Sequence, residues 1–212
     1  MPFLAHLRKS TASHPNRGSV DLEEALSKID RIIAWGRLRF PIASENLCHW
    51  RDGKGRKRTL GASVFKDQGF LNDHLKRVHR AKFIAGAERR IREGVIAPGQ
   101  EFPMHWTDSI YAPYLTDLFF ALGAFTVRSE VSTKVVKQDE ELQLTFELWR
   151  LQISDDYDWD PGKATYVPGV GRVTDDEMLA MERAGYGKAY RIESEWITIT
   201  RPDIVEGAVI KP

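Results

Sequence analysis

The chain has 212 residues, of which 42% are hydrophobic and 10% aromatic, and its formal net charge is +1. This composition is typical of a globular protein with a substantial core, arranged as one large domain or two small ones. The single cysteine, Cys48, excludes an internal disulfide framework and a multi-cysteine zinc site, and it indicates synthesis in a reducing cytoplasm. No apolar run is long enough to span a bilayer, and "MPFLAHLRKSTASHPNRGS" at the start lacks the pattern of a secretory signal.

Charge is distributed unevenly along the chain. Residues 51–92 contain thirteen Lys and Arg against four Asp and Glu, a local net charge of +9. Residues 139–212 contain eight against sixteen, a local net charge of −8. The two regions could attract each other within one fold, or one could face an anionic partner. Two solvated surfaces of a single protein are the simpler interpretation.

The first half of the chain has helical periodicity. Asp21 is placed to cap a helix whose apolar residues recur at helical spacing, and Gly36 is expected to end it. A second short helix is predicted after Pro41, ending before "DGKG". A third is predicted over residues 70–92, with Lys and Arg crowding its outer faces.

Histidines of this half form no obvious ligand set. His74 and His79 are five residues apart, so an α-helix would place them on different faces, and we expect them to be a poor metal pair. His105 is followed by Asp108 and Ser109 in "MHWTDS", which is a candidate polar site.

The second half changes to the alternating period of β-strands. Residues 125–135 form a half-buried strand pattern, and "KQDE" is expected to turn the chain into a second strand. The apolar phase of that second strand slips near Leu148, which predicts a β-bulge, with burial of both faces of the strand as the alternative. A helix capped by Thr174 and closed by Gly185 follows, and "AYRIESEWITIT" is predicted to be a long last strand.

These patterns predict an α+β fold in which a helical N-terminal half packs against an antiparallel β-rich C-terminal half. We expect a mostly helical region over residues 1–105 and a β-rich activity region over residues 106–212. The two regions could also form one continuous domain.

Four aspartates fall within residues 155–160, at the end of an apolar strand. Asp155 and Asp158 are candidates for an acid–base pair, because close carboxylates raise the pKa of one of them. Tyr157 could donate a hydrogen bond to an oxyanion or a phosphate oxygen. In the alternative interpretation, Tyr157 and Trp159 pack inward while the aspartates cap a turn.

The same aspartates could hold a cation. An EF-hand is excluded, because Pro161 and Val167 stand where that pattern requires Gly and Glu. A looser site for Mg²⁺, with Ca²⁺ as the second choice, stays open, since Mg²⁺ often takes only one or two carboxylates. Asp158 and Asp160 are the candidate metal ligands.

The run from Asp155 to Asp158 resembles the D-x-Y-D core of the colicin M-like bacteriocins. These enzymes cut the lipid-linked peptidoglycan precursor lipid II between the lipid and the pyrophosphate, with Mg²⁺ assisting. The resemblance implies that Asp155 is the main catalytic carboxylate, supported by Tyr157 and Asp158. It also implies a β-rich C-terminal activity domain behind a helical region.

The chain departs from that family after the motif. The family has a nearby His-Arg pair there, whereas this chain reads "WDPGKATYV" and has no histidine after His105. Lys163 and Arg172 are the candidates to replace the cationic part and to bind substrate phosphate.

Three segments, "NLCHWRDGKGRKRTL", "LFFALGAFTV" and "DDYDWDPGK", resemble bacterial proteins of the type VI secretion effector kind. This resemblance implies an antibacterial toxin that a secretion-system carrier delivers without a signal peptide.

The leading hypothesis is an antibacterial effector toxin that hydrolyses an anionic lipid-linked substrate of lipid II type. It would be made in the cytoplasm, act in the periplasm of a target cell, and require an immunity protein in the producer. One alternative is a nuclease or nucleic-acid-binding toxin that uses the basic residues 51–92. Another is a non-catalytic structural or membrane-perturbing protein.

Overall fold

The computed structural model describes residues 20–211, so the predicted absence of a secretory signal lies outside the described residues. Its helices are α1 (Leu22–Arg39), α2 (Pro41–Arg51), α3 (Gly69–His74), α4 (Arg80–Arg92), α5 (Asp117–Ala121), α6 (Asp175–Arg183) and α7 (Pro202–Val205). Its strands are β1 (Arg58–Leu60), β2 (Glu101–Tyr111), β3 (Ala124–Gln138), β4 (Glu141–Tyr157), β5 (Ala164–Val167), β6 (Gly171–Thr174), β7 (Tyr190–Ser194), β8 (Ile197–Thr198) and β9 (Ala208–Ile210). A π turn, Leu75–His79, joins α3 to α4. None of the helices in residues 20–211 has the length and apolar character needed to cross a bilayer.

Seven strands form one mixed sheet in the order β1-β7-β4-β3-β2, with β8 and β9 also paired to β4. The β1–β7 pairing is parallel, whereas the other strands of this sheet pair antiparallel. Strands β5 and β6 form a separate hairpin. Helices lie mainly in the N-terminal half and most strands in the C-terminal half, which confirms the predicted α+β class.

The long β3–β4 hairpin follows the predicted alternation. Odd-numbered residues from Phe125 to Val135 are buried, and the even-numbered ones between them are exposed or partly buried. Asp139 and Glu140 form the tight turn with positive φ angles of 48° and 71°. The pairing register shifts where Ser132 faces Leu148 and Thr133 faces Phe146, which leaves Glu147 without a partner in β3. The bulge predicted near Leu148 is therefore confirmed.

The first helix is longer than predicted. Its N-cap is Asp21, as expected, but the helix passes through Gly36 and ends at Arg39. The prediction that Gly36 ends it was wrong, because Pro41 sets the boundary by disfavouring helical geometry in the preceding residue. Gly36 serves a close approach instead: a Cβ atom there would lie 3.2 Å from Cβ of Ser44 in α2.

The predicted capping of α6 is confirmed, since Thr174 forms a capping box with Glu177. The predicted long last strand is divided into β7 and β8. Ser194 accounts for the break: its hydroxyl accepts a hydrogen bond from the backbone N–H of Ile153 and donates one to the carbonyl of Glu195.

Strand β2 was not predicted. Its alternation is visible in hindsight, since Phe102, Met104 and Ile110 are buried on one face. Pro103 obscures the pattern but is tolerated, because β2 is an edge strand. The expected boundary after residue 105 falls inside this strand, and the hydrophobic core includes residues from both sides of it.

Trp50 connects the N-terminal helices to the last third of the chain. The side chain is fully buried, and its indole N–H donates to Oε1 of Glu182 at 2.7 Å. Its carbonyl accepts from the backbone N–H of Lys188 at 3.0 Å. The backbone of Gly187 lies directly on the indole, so that a Cβ atom there would come within 2.4 Å of the ring.

We therefore expect Gly187→Ala to lower the free energy of unfolding by about 1–3 kcal/mol, because the methyl group must displace a ring that has no free space. Urea unfolding followed by tryptophan fluorescence measures the loss. Gly69→Ala is the matched control, since a Cβ atom at Gly69 meets nothing within 4 Å. Equal stability of the two variants would contradict this account of the contact.

Candidate active site at the end of strand β4

The aspartate-rich segment begins inside a strand. Strand β4 continues to Tyr157, so Asp155 and Asp156 pair with Ile192 and Arg191 of β7. Alternation along the strand places Asp155 and Tyr157 on the helix-covered face and Asp156 on the opposite face. There Asp156 accepts a hydrogen bond from the Arg191 guanidinium at 2.9 Å. Two neighbouring carboxylates therefore have different environments.

Asp155, Asp156 and Asp158 line one cleft of about 330 Å³, together with Lys163. An apolar cavity of about 200 Å³ adjoins it and is lined mainly by α1, α2 and α5. Tyr157 and Trp159 line both spaces, so the polar cleft and the apolar cavity meet at these two rings. Ligand sites typically have volumes of roughly 300–1,000 Å³, and the combined space falls in that range.

Asp155 has the properties of an acid–base group. Burial raises the pKa of its carboxyl to about 7, and the nearby negative charges of Asp156 and Asp158 act in the same direction. Burial also raises the pKa of Asp158, with contributions from the charges of Asp160 and Asp156. A carboxyl group that titrates near neutral pH can both accept and donate a proton under physiological conditions.

Two aromatic side chains supply hydrogen-bond donors beside Asp155. Burial raises the pKa of Tyr157 well above its ordinary value, so the phenol keeps its proton. The indole N–H of Trp159 is buried and has no hydrogen-bond partner within residues 20–211. A buried donor without an acceptor is costly. An acceptor atom of a ligand in this space would remove that cost.

The rest of the acidic segment is fastened to helix α6. Asp160 forms an ion pair with Lys163, and its backbone N–H donates to Oδ2 of Asp175 at 2.9 Å. The backbone N–H of Gly162 donates to Oδ2 of Asp176 at 3.3 Å. Aspartates from the start of α6 thus hold the loop in place. This arrangement orients the segment toward the cleft without using Asp155 or Asp158.

The two predicted phosphate-binding residues are separated in the structure. Lys163 lines the cleft, whereas Arg172 is exposed on β6 and is not among the residues that line it. Arg191, the cation that pairs with Asp156, was missed by sequence reasoning. No local signal could have identified it, because the β4–β7 pairing brings it in from a distant segment.

For a metal ion, the segment offers a limited set of oxygen ligands. Asp158 is exposed at the cleft, and Asp160 is engaged by Lys163. Carboxylate oxygens are the ligands that Mg²⁺ prefers, and one or two of them suffice when water and phosphate complete the shell. The donor chemistry of Asp158 and Asp160 fits Mg²⁺ on these terms, at the expense of the Asp160–Lys163 ion pair.

The expectation that His74 and His79 would lie on different faces was wrong. The π turn widens the helix between them, and the two imidazole centroids are 5.2 Å apart. Nε2 of His74 and Nε2 of His79 both donate to Asp108 of β2, at 3.0 and 2.8 Å. The polar site expected near His105 therefore includes Asp108, but its other members come from the π turn.

Basic residues of the 51–92 segment form ion pairs with the acidic C-terminal part. Lys57 pairs with Glu193 at 2.9 Å, and Lys76 pairs with Asp203 at 3.4 Å. Arg80 donates to the carbonyl of Glu206 at 3.0 Å. The uneven charge distribution is thus partly matched within the fold.

Asp155 should make stability depend on pH. The folded-state pKa of about 7 exceeds the ordinary value of 3.8, so folding becomes less favourable as pH rises through this window and the penalty is constant above it. We expect Asp155→Asn to raise the free energy of unfolding by about 2 kcal/mol near pH 8 and to change little near pH 4.

Urea unfolding at several pH values measures this difference. The exposed Asp67 provides the control, and Asp67→Asn should change the free energy of unfolding little. If Asp155→Asn changes the free energy of unfolding equally at pH 4 and pH 8, the claim that burial raises the pKa of Asp155 is wrong.

Comparison with known proteins does not assign the chain to a family. No family model and no curated protein matches the chain. The resemblance to colicin M-like bacteriocins stays a prediction that rests on the run from Asp155 to Asp158.

Proposed function

We propose that this protein is a hydrolase that acts on an amphipathic, phosphate-bearing substrate of the lipid II type. The observation that carries the proposal is the meeting of an apolar cavity with the polar cleft of Asp155, with Tyr157 and Trp159 lining both spaces. A lipid-linked pyrophosphate has an apolar part for the first space and a polar part for the second. The resemblance of the run from Asp155 to Asp158 to the colicin M-like motif supports the same substrate class.

In this proposal Asp155 acts as the general base. Its carboxylate accepts a proton from the attacking water, whose oxygen bonds to phosphorus as the bond to the lipid oxygen breaks. The proton then passes to the departing lipid oxygen. A pKa of about 7 suits both transfers, because the group is close to half-ionised at neutral pH.

Tyr157, Trp159 and Lys163 would bind the phosphate. The protonated phenol of Tyr157 donates a hydrogen bond to a phosphate oxygen, and the indole N–H of Trp159, which has no partner within residues 20–211, is the second donor. Lys163 adds a positive charge if the substrate draws it from Asp160. The single lysine leaves an acidic cleft that would repel a pyrophosphate without further cations.

Mg²⁺, when bound by Asp158 and Asp160, would neutralise the phosphate charge and polarise its oxygens. This need follows from the excess of carboxylates over cations in the cleft. Removal of Mg²⁺ with a chelator should therefore weaken substrate binding.

The proposed activity also implies how the protein would act in a cell. A toxin of this kind would be carried by a secretion system and would act in the periplasm of the target cell. Its producer would need an immunity protein, and the cleft at Asp155 is the surface that such a protein would have to cover.

Asp155→Asn should reduce lipid II hydrolysis by about 10²–10⁴-fold, the usual contribution of a general base. Purified protein is incubated with lipid II and Mg²⁺, and the released lipid and pyrophosphate-linked products are separated by chromatography. Asp67→Asn is the control: it removes an exposed aspartate that does not line the cleft, and it should retain activity within about threefold. Equal losses in both variants would contradict the assignment of Asp155.

Expression in a bacterium tests the site of action. Wild type carrying a periplasmic export signal should stop growth, the same chain without it should not, and Asp155→Asn should abolish the effect. Toxicity from the cytoplasmic form would point to the nuclease alternative. Toxicity that persists in Asp155→Asn would mean that the aspartates have no catalytic role.

A further inference from the structure

Three side chains outside the proposed active site converge as metal ligands do. His74 and His79 of the π turn and Asp108 of β2 each present one ligand atom, and these atoms lie within 4.8 Å of one another. Within residues 20–211, no other group of three or more His, Cys, Asp or Glu residues has that geometry. The aspartates of β4 do not form such a group.

The π turn is what creates the cluster. In an α-helix, residues five apart point in different directions, so His74 and His79 could not reach one carboxylate together. The wider turn over Leu75–His79 brings both Nε2 atoms to Asp108. π turns inside helices are costly and occur frequently at functional sites.

A second layer of polar groups fixes the ligands. His79 is fully buried, and its Nδ1 lies 2.7 Å from the hydroxyl of Ser129. Ser129 also accepts a hydrogen bond from the indole of Trp149 at 3.2 Å. Metal-binding histidines usually have a partner of this kind on the second ring nitrogen, which sets the tautomer and leaves Nε2 for the metal.

The side of the cluster toward solvent is open. The side chains of His74 and Asp108 keep 21% and 24% of their surface exposed, whereas that of His79 has none. An ion could therefore enter from solvent and retain water in a remaining coordination position.

We propose that His74, His79 and Asp108 form a binding site for a divalent transition-metal ion, with Zn²⁺ as the best match. Two imidazoles and one carboxylate are a common ligand set for such ions, whereas Mg²⁺ and Ca²⁺ prefer oxygen ligands throughout. On binding, the metal takes the place of the Nε2 proton of His79, which moves to Nδ1, so that the imidazole stays neutral and its Nδ1–H donates to the hydroxyl of Ser129. The ion would link the π turn to the edge strand β2.

The test measures binding of Co²⁺ and Zn²⁺ to the full chain without a polyhistidine tag. His6 and His14 are changed to Gln in every sample, so that they cannot contribute ligands. Co²⁺ should bind at one equivalent and give the visible absorption bands of a low-coordinate site, and Zn²⁺ should displace it. At a hundredfold excess of Zn²⁺ over Kd, Tm should rise by roughly 5–10 °C.

His74→Gln should weaken binding by about 100-fold, since loss of a ligand costs at least as much as loss of a second-layer partner. His74 is the residue to change, because it is partly exposed whereas His79 is buried. His105→Gln is the control, as His105 is exposed on β2 and lies on the other face of the strand. That variant should bind the metal as wild type does.

A measurement on the unaltered cluster covers the case in which His74→Gln does not fold. Long-range ¹H–¹⁵N spectra of the imidazoles should show Zn²⁺ shifting Nε2 of His74 and His79 and leaving His49 and His105 unchanged. Absence of saturable binding, or binding that His74→Gln leaves intact, would overturn the proposal. The cluster would then be a hydrogen-bond network alone.

Discussion

The structure depends on the burial of one indole ring. Trp50 lies in the last turn of helix α2, and the chain from Glu182 to Lys188 wraps around it with a side-chain acceptor, a backbone hydrogen bond and a glycine that leaves room for the ring. Trp159 approaches the same ring edge-on, with the centroids 5.8 Å apart. The N-terminal helices and the acidic segment thus pack against the same indole ring.

The contact between Trp50 and Trp159 explains how the acidic residues 155–160 can lie against the hydrophobic core. Trp159 lies between Trp50 and Tyr157, so aromatic contacts add to the ion pairs of Asp156 and Asp160 in holding the chain where its carboxylates repel one another. The same burial raises the pKa of Asp155 and removes the indole N–H of Trp159 from other acceptors. Costs to stability that cluster in one cleft are common where a protein binds a ligand or performs chemistry.

Features that depend on local patterns could be predicted from the sequence. The alternation of β3, the bulge beside Leu148 and the capping box at Thr174 all arise from residues close together in the chain. The π turn, the β1–β7 pairing and the partner of Asp156 depend on contacts with distant segments, and no local pattern indicates them. The aspartates were visible as a group, but only the fold separates Asp155 from Asp156 by placing them on opposite faces.

The parallel pairing of β1 with β7 also affects how the protein folds. It joins Arg58 to Ile192 across about 130 residues. Contacts of such high sequence separation slow folding, because a long loop must close before the pairing stabilises the chain. Strand β7 also supplies the neighbour of Asp155 in the sheet. We therefore expect the β1–β7 pairing to form after the β3–β4 hairpin, whose two strands are adjacent in the chain.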